Sequence, residues 1–238
     1  MKLSIITATY NAVENLPKLI ESLRNQEDKD FEWVVADGAS TDGTLELLQS
    51  ITDLNIKISS QEDFGIYDAL NRAIKISNGE FYLVVGADDY FYTNAIRDYK
   101  SEIYDSVDIL TATINCGEKK ISAKNRGKSW IFGMNDYVSS HAVGCVYRKK
   151  LHENFGWYSR KFPIVADQLF TLKAIHGGAN VKVINKEVGF YNDSGVSSID
   201  VVGTISELYR VQLTLGRNKL MQTLLLFLRI FKNFKKIK

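Results

Sequence analysis

The sequence is poor in cysteine and has no long hydrophobic run. Its two cysteines, Cys116 and Cys145, cannot make a disulfide framework or a cysteine-rich metal site, so we expect two reduced thiols. The longest apolar run near the C-terminus, LLLFL at 224–228, is far shorter than the ~20 residues that cross a bilayer. The opening stretch, KLSIITATY after Met1, reads as a strand rather than as an export signal. We therefore expect a cytoplasmic protein with no membrane-spanning segment.

Two nucleotide-binding signatures are also missing. No G-x-G-x-x-G follows the first predicted strand, which argues against a dinucleotide-dependent oxidoreductase. The stretch RGKS at 126–129 looks like the end of a P-loop, but Ser122 stands where the first glycine of that motif is required.

The small net charge of +2 hides an uneven distribution. Residues 208–238 carry eight Lys or Arg and no Asp or Glu, which leaves 22 basic and 28 acidic residues in the rest of the chain. A mildly acidic body and a basic C-terminal tail are expected to do different work.

Strand-like and helix-like patterns alternate over the first hundred residues. LSIITA (3–8), FEWVVAD (31–37), NIKISS (55–60) and FYLVVGADD (81–89) predict strands, and apolar residues at helical spacing lie between them. This alternation predicts an α/β fold, a Rossmann-like, mainly parallel sheet with helices on both faces. Later strands are predicted in DILTATINC, SSHAVGCVYR and VKVINKEVGFY, a helix over 167–177, and a helical tail from Ser206 onward. We expect one domain over 1–204, with halves 1–105 and 106–204, followed by a tail over 205–238.

Three polar stretches follow predicted strands and are expected to meet in one crevice. They are TYN, ADGAS and GADDY, and ligands bind beyond the carboxyl ends of the strands in such sheets. The adjacent carboxylates Asp88 and Asp89 would suit a hard divalent cation such as Mg²⁺ or Mn²⁺. The alternative is that Asp89 caps a helix beginning near Tyr90.

Three stretches together carry a family resemblance. SIITATYNAVENLPKLIESLRNQ, FEWVVADGASTDGT and GADDY resemble, in order and spacing, the N-terminal signature of family 2 glycosyltransferases with the GT-A fold, of the bacterial surface-polysaccharide type. The resemblance is dense over residues 3–92 and continues more thinly to about residue 200 through HAVGCVYRK and FPIVADQLFTLKA. It implies transfer of a sugar, with inversion, from a nucleotide diphosphate donor, a UDP-sugar, to a glycan or a lipid-linked saccharide.

The resemblance also implies roles for donor-binding residues. Ala8, Thr9 and Tyr10 would line the nucleobase end of the donor pocket, and Asp37 would accept a hydrogen bond from the base. Asp88 and Asp89 would hold the ribose and a Mn²⁺ or Mg²⁺ ion. Asp68 and Asn71 resemble polar positions near the donor, although a solvated or capping role is equally open. The sequence departs from the family pattern at Gly86, where the metal-binding motif has its first aspartate, and around Asp37, where one acid stands instead of two.

Two further residues are candidates for the acceptor side of the site, and one of them is also a candidate contact of the diphosphate. Asp167, in FPIVADQLF, matches the position of the general base that activates the acceptor hydroxyl, with a simple helix N-cap as the alternative. His141 is a candidate contact of the diphosphate or of the acceptor, against the alternative of a buried, satisfied histidine.

The tail predicts a basic amphipathic helix. Its apolar side chains fall at helical spacing, and its basic ones cluster near the end: Leu220, Leu224, Phe227, Leu228, Phe231 and Phe234, and then Arg229, Lys232, Lys235, Lys236 and Lys238. A peripheral contact with the inner face of a membrane is favoured, with packing on the enzyme itself or a homodimer contact as alternatives. The tail carries no nucleic-acid-binding motif, so no nucleic-acid partner is expected.

Two rival functions are weighed against the transferase. A sugar nucleotidyltransferase would open with a Gly-rich, Arg- or Lys-bearing phosphate loop, and SIITATYNAVENLP has neither feature. A non-catalytic nucleotide-sugar-binding or scaffold protein draws some support from Gly86 and the single Asp37.

Overall fold

The described residues of the computed structural model, 3–193 and 195–237, form nine strands, ten α-helices and two short 3₁₀ helices. The strands are β1 (Leu3–Thr9), β2 (Phe31–Asp37), β3 (Ile56–Ser60), β4 (Phe81–Val84), β5 (Tyr90–Phe91), β6 (Ile109–Cys116), β7 (Lys119–Ile121), β8 (Cys145–Arg148) and β9 (Val181–Phe190). The helices are α1 (Leu16–Arg24), α2 (Thr44–Gln49), α3 (Ile66–Ile76), α4 (Ala95–Lys100), α5 (Ser129–Phe132), α6 (Leu151–Phe155), α7 (Ala166–His176), α8 (Val196–Ile199), α9 (Val201–Thr214) and α10 (Lys219–Lys232).

All nine strands join one sheet in the order β3-β2-β1-β4-β8-β6-β9-β5, with β7 beside β6. The first four strands are parallel, as the alternating pattern predicts. Beyond β4 the sheet is mixed, because β8 runs antiparallel to both β4 and β6 while β9 runs parallel to β6. The strand–helix alternation that predicts parallel pairing stops near residue 105, so antiparallel pairs enter where the pattern ends.

Helices cover both faces of the sheet, as predicted. Alternate residues of a strand point to opposite faces, so Leu3 and Ile5 pack in a core with α1, whereas Ile6 packs in a second core with α3 and α7. The crossover between β1 and β4 leaves a crevice at their carboxyl ends, the place where parallel sheets bind ligands.

The C-terminal helices pack against the body of the protein. Val211 of α9 belongs to the core that contains α3 and α7, and the Gln212 side-chain amide donates to the Ser129 carbonyl at 3.0 Å. The predicted boundary at residue 204 falls inside α9. Over 3–193 and 195–237, none of the helices combines the length and the apolar character that a membrane crossing requires.

Gly79 marks the closest approach of backbone segments at the start of β4. A Cβ atom there would lie 2.7 Å from the Ser4 amide nitrogen and 2.6 Å from the Phe81 carbonyl oxygen. We expect Gly79→Ala to lower the free energy of unfolding by about 1–3 kcal/mol, because these backbone groups cannot move without disturbing the β1–β4 pairing. Urea unfolding measures the change. Gly195→Ala, where a Cβ meets no atom within 4 Å, is the matched control and should stay close to wild type. Equal loss in both variants would contradict this account of Gly79.

Candidate active site

A cleft of about 490 Å³ lies beyond the carboxyl ends of β1 and β4. Its lining includes Ala8 from the end of β1, Asp88 and Asp89 from the turn after β4, and His141 and Asp167 from the second half of the chain. The structure thus brings together four predicted polar site residues that are separated by up to 79 positions in sequence. Of the three stretches predicted to meet in one crevice, GADDY lines this cleft, whereas TYN and ADGAS line a neighbouring cavity through Thr9 and Tyr10 and through Gly38 and Ala39.

Asp89 is a buried carboxylate that joins two loops. It is 1% exposed, and its oxygens accept hydrogen bonds from the backbone N–H groups of Gly86 (2.9 Å) and Asn192 (2.8 Å). Burial, with an added effect of the Asp88 charge, raises the pKa of its carboxyl to about 7, although these two hydrogen bonds act to lower it. A nearby cation would favour the ionised form. The alternative of a helix N-cap is wrong, because Tyr90 begins strand β5.

Gly86 stands where the family motif has its first aspartate. A Cβ atom on Gly86 would lie 2.8 Å from Asp89 Oδ2 and 3.0 Å from Asp88 Oδ1, so the two carboxylates lie close to this position. A side chain at position 86 would displace them.

The carboxylate pair suits a divalent ion that takes most of its ligands from elsewhere. Across 3–193 and 195–237 there is no group of three or more His, Cys, Asp or Glu side chains placed to hold a metal. Mg²⁺ commonly uses one or two carboxylates and completes its shell with water and substrate phosphates. Asp88, half-buried in the cleft wall, and Asp89 beside it meet that requirement.

Asp167 lies in the first turn of α7, where other elements hold it in place. Its Oδ1 accepts a hydrogen bond of 2.7 Å from the Tyr67 hydroxyl, which also lies 2.9 Å from the Ile164 carbonyl oxygen. Burial raises the pKa of Tyr67 well above its usual value and the Asp167 charge adds to the shift, so Tyr67 stays a donor. The N-cap residue of α7 is Val165 rather than Asp167, which corrects the capping alternative.

The buried Glu207 of α9 supports the same turn. Its Oε2 accepts hydrogen bonds from the backbone N–H groups of Ile164 and Val165, both at 3.0 Å. Sequence reasoning missed Tyr67 and Glu207. Tyr67 directly precedes the candidate Asp68, but nothing in the local pattern links Glu207 to a turn about 40 residues earlier.

A second cavity, of about 610 Å³, adjoins the cleft and shares Ala8 and Ile66 with it. Ala8, Thr9 and Tyr10 line it as a group, and the Tyr10 ring stands at its mouth with 69% exposure. Glu62 and Asp63 line the same cavity and were not predicted. A signal was present, since both residues follow the carboxyl end of β3.

Asp37 is fully buried and bonded within the protein. Its oxygens accept hydrogen bonds from the hydroxyls of Thr9, Ser40 and Ser60 and from the Ser40 amide. Burial opposes ionisation, but these hydrogen bonds hold the pKa of Asp37 below its usual value. The carboxylate ties together the ends of β1, β2 and β3, and contact with a base stays a prediction.

Asp68 and Asn71 line another groove, not the cleft. Asp68 forms an ion pair with Arg160 at 2.5 Å. Asn71 is buried, and its amide donates to the Tyr158 carbonyl (2.9 Å) and accepts from the Tyr158 N–H (3.0 Å). The structure therefore gives both residues protein partners, and Asn71 acts on the position of Tyr158.

Comparison with known proteins identifies the family of the chain. The sequence model of glycosyl transferase family 2 matches residues 4–175, most of the chain. The poly(ribitol-phosphate) beta-N-acetylglucosaminyltransferase TarS of Staphylococcus aureus is 28% identical over 202 residues, which cover 80% of this chain and 35% of TarS. A PGL/p-HBAD biosynthesis glycosyltransferase of Mycobacterium bovis is 27% identical over 209 residues, covering 84% of this chain and 80% of that protein. The chain thus spans about a third of the length of TarS.

Solved structures share the fold. A fragment of S. aureus TarS in complex with UDP-GlcNAc superposes with a TM-score of 0.73 at 26% identity, over 98% of this chain and 73% of that one. The mannosyltransferase PcManGT from Pyrobaculum calidifontis, in complex with GDP-Man and Mn²⁺, gives 0.71 at 17% identity, over 91% and 64%. The predicted GT-A fold is confirmed by the match to TarS. With a family model that covers most of its length, the chain belongs to glycosyl transferase family 2.

Proposed function

We propose that this protein is a metal-dependent inverting glycosyltransferase that moves a sugar from a UDP-sugar to a hydroxyl of a glycan or a lipid-linked saccharide. The observation that carries the proposal is one cleft with a carboxylate pair, Asp88 and Asp89, and a separate carboxylate, Asp167. The bound UDP-GlcNAc of the TarS structure supports the choice of donor.

The nucleobase would occupy the cavity lined by Ala8, Thr9 and Tyr10. Because the oxygens of Asp37 already accept four hydrogen bonds, we assign the carboxylate that accepts a base N–H to Asp63, which lines this cavity. The diphosphate then extends past Ala8 into the cleft, which shares that residue with the cavity.

The two sets of carboxylates would divide the chemistry between them. A Mn²⁺ or Mg²⁺ ion held by Asp88 and Asp89 would neutralise the charge that grows on the leaving diphosphate. Asp167, oriented by the Tyr67 hydroxyl, takes the proton of the acceptor hydroxyl. At the same time the oxygen of that hydroxyl forms a bond to the anomeric carbon of the donor sugar. The bond between that carbon and the phosphate oxygen breaks, and its electron pair leaves with the nucleoside diphosphate.

The helix α10 points to a membrane-surface location. On its inward side Gln222 is buried and donates to the Trp130 carbonyl at 2.9 Å, and Arg229 donates to the Ile131 carbonyl at 2.6 Å. Its outward side carries several exposed apolar residues: Leu220, Leu224, Phe227, Leu228, Phe231 and, just beyond the helix, Phe234.

An anionic bilayer is the partner that fits this face. Residues 208–238 contain no acidic side chain, so a second copy paired through α10 would bring like charges together without compensation. Anionic lipid supplies both the apolar interior for Leu and Phe and the negative charge for the basic residues.

The role of Asp167 is tested by Asp167→Asn. We expect the turnover of UDP-GlcNAc with a panel of methyl glycosides to fall about 10²–10⁴-fold, because the base is lost, while calorimetric binding of UDP-GlcNAc with Mg²⁺ stays unchanged. The exposed Asp53→Asn is the control and should keep wild-type turnover. If Asp167→Asn transfers sugar at nearly the wild-type rate, Asp167 is not the general base. Folded wild-type protein that binds no UDP-, GDP-, dTDP- or CMP-sugar would instead favour the scaffold function.

The metal site is tested by Gly86→Ala. The added methyl group displaces the carboxylates of Asp88 and Asp89, so we expect the affinity for UDP in Mg²⁺ to fall about 10- to 100-fold. The same calorimetric titration in EDTA is the internal control, and there the variant and the wild type should bind UDP equally. If the variant binds UDP more tightly in Mg²⁺ than in EDTA by the same factor as the wild type, Asp88 and Asp89 are not the metal site. Circular dichroism checks that the variant is folded.

The membrane proposal is tested by sedimentation with vesicles. We expect binding to phosphatidylglycerol-containing vesicles, weaker binding to pure phosphatidylcholine, and release as salt rises. The double variant Phe227→Ser/Phe231→Ser should bind about tenfold more weakly or worse, because two exposed rings no longer enter the bilayer. Tyr104→Ser removes an exposed ring elsewhere and should have no effect. If the wild-type protein does not sediment with vesicles but forms a dimer that the double variant abolishes, the exposed face of α10 is a contact with a second copy of the chain.

A further inference from the structure

A chain of four hydrogen bonds runs from the cleft into the core. His141 Nε2 lies 2.7 Å from the Tyr158 hydroxyl, and that hydroxyl lies 2.8 Å from the Tyr82 hydroxyl. Tyr82 in turn lies 2.8 Å from His152 Nε2, and His152 Nδ1 lies 3.0 Å from the Gly156 carbonyl oxygen. All four side chains are buried, and only His141 lines the cleft.

The Gly156 carbonyl sets the direction of the two hydrogen bonds that His152 makes. A carbonyl oxygen only accepts, so His152 must carry its proton on Nδ1. Burial lowers the pKa of His152 to about 4, so the ring is neutral near pH 7 and Nε2 is a bare acceptor. The Tyr82 hydroxyl therefore donates to His152.

The remaining bonds follow from proton counting. The single proton of Tyr82 is already used, so Tyr158 must donate to Tyr82. The single proton of Tyr158 is then used as well, so the proton in the last bond comes from His141 Nε2. Burial lowers the pKa of His141, with the charge of Asp167 acting in the opposite direction, and a neutral ring with a proton on Nε2 has a bare Nδ1.

Packing prevents the rings from leaving this arrangement. The His152 ring stacks on Phe170 with centroids 4.2 Å apart, and the His141 and Tyr158 rings meet edge to face at 5.3 Å. Asn71 holds the backbone of Tyr158 through two hydrogen bonds. With His152 fixed by the Gly156 carbonyl, the other tautomer of His141 would leave one bond of the chain without a proton.

We propose that this buried chain makes His141 a hydrogen-bond acceptor at the cleft, and that its bare Nδ1 binds a hydroxyl of the acceptor saccharide. The proposal rests on the glycosyltransferase function and adds a residue that selects the acceptor. It replaces the hypothesis that His141 donates to the diphosphate, because its one N–H is already bonded to Tyr158. Tyr158, Tyr82 and His152 are positioning residues that act through His141.

The tautomers can be read without substrate by NMR of isotopically labelled histidine. Long-range proton–nitrogen correlations distinguish bare from protonated ring nitrogens, and the chain has only three histidines to assign. We expect His152 with its proton on Nδ1 and His141 with its proton on Nε2. Wild-type His141 found with its proton on Nδ1, or with both nitrogens protonated at neutral pH, would overturn the proposal.

The chain itself is tested by Tyr82→Phe. This variant frees the Tyr158 hydroxyl to donate to His141, so the His141 signals should shift toward the tautomer with Nδ1 protonated. Tyr147→Phe is the matched control, because Tyr147 is equally buried and packs 5.7 Å from His141, but its hydroxyl bonds to Thr171 outside the chain. An unchanged His141 tautomer in Tyr82→Phe, or the same shift in both variants, would show that the chain does not set the tautomer.

Kinetics separate the two substrates. With UDP-GlcNAc and the methyl glycosides of glucose, galactose and N-acetylglucosamine, Tyr82→Phe should raise the KM for the saccharide about three- to tenfold. The affinity for UDP in Mg²⁺ should stay within about twofold, since no bond to the donor changes. If Tyr82→Phe instead lowers the affinity for UDP and leaves the KM for the saccharide unchanged, His141 contacts the diphosphate and the proposal is wrong. If wild-type protein binds no UDP, the proposed function fails, while the NMR result still decides whether the chain sets the tautomer.

Discussion

The burial of one carboxylate, Asp89, is the constraint on which the cleft depends. A charge at the end of a buried strand is unfavourable, and the protein offsets this with backbone N–H groups from Gly86, in its own turn, and Asn192, in the loop after β9. These bonds tie the first half of the chain to the second at the crevice. Burial still raises the pKa of Asp89 against these two hydrogen bonds, and a nearby cation would favour its ionised form.

Contacts from distant parts of the chain position Asp167, the candidate base. Asp167 is held by Tyr67 from α3, and the turn before it is held by Glu207 from α9. The helix α9 is therefore part of the machinery of the site, although its sequence reads as the start of a tail. The exposed apolar side chains of α10 are the observation on which the membrane proposal rests.

Prediction from sequence succeeded where a local pattern determines position. The continuous apolar strands and the polar residues that follow them placed Asp88 and Asp89 at a strand end, and the family resemblance added Asp167 and His141. It was less successful for Asn71, which lines another groove and whose amide is bonded to Tyr158. The partners of Asn71 lie 87 residues away, so no short-range pattern reveals that its amide is already engaged. Glu207 escaped notice for the same reason.

The sequence by itself determined the parallel first half of the sheet, the helices on both faces and the choice of carboxylates, because strand and helix periodicities and strand-end positions are local properties. Tertiary structure alone decided which of those carboxylates face the cleft, because burial and hydrogen bonding depend on residues distant in sequence. It also decided the proton on His141, which is set through three other side chains by the carbonyl of Gly156. Fixed hydrogen-bond directions are a property of assembled groups, and they exist only once the core has closed around them.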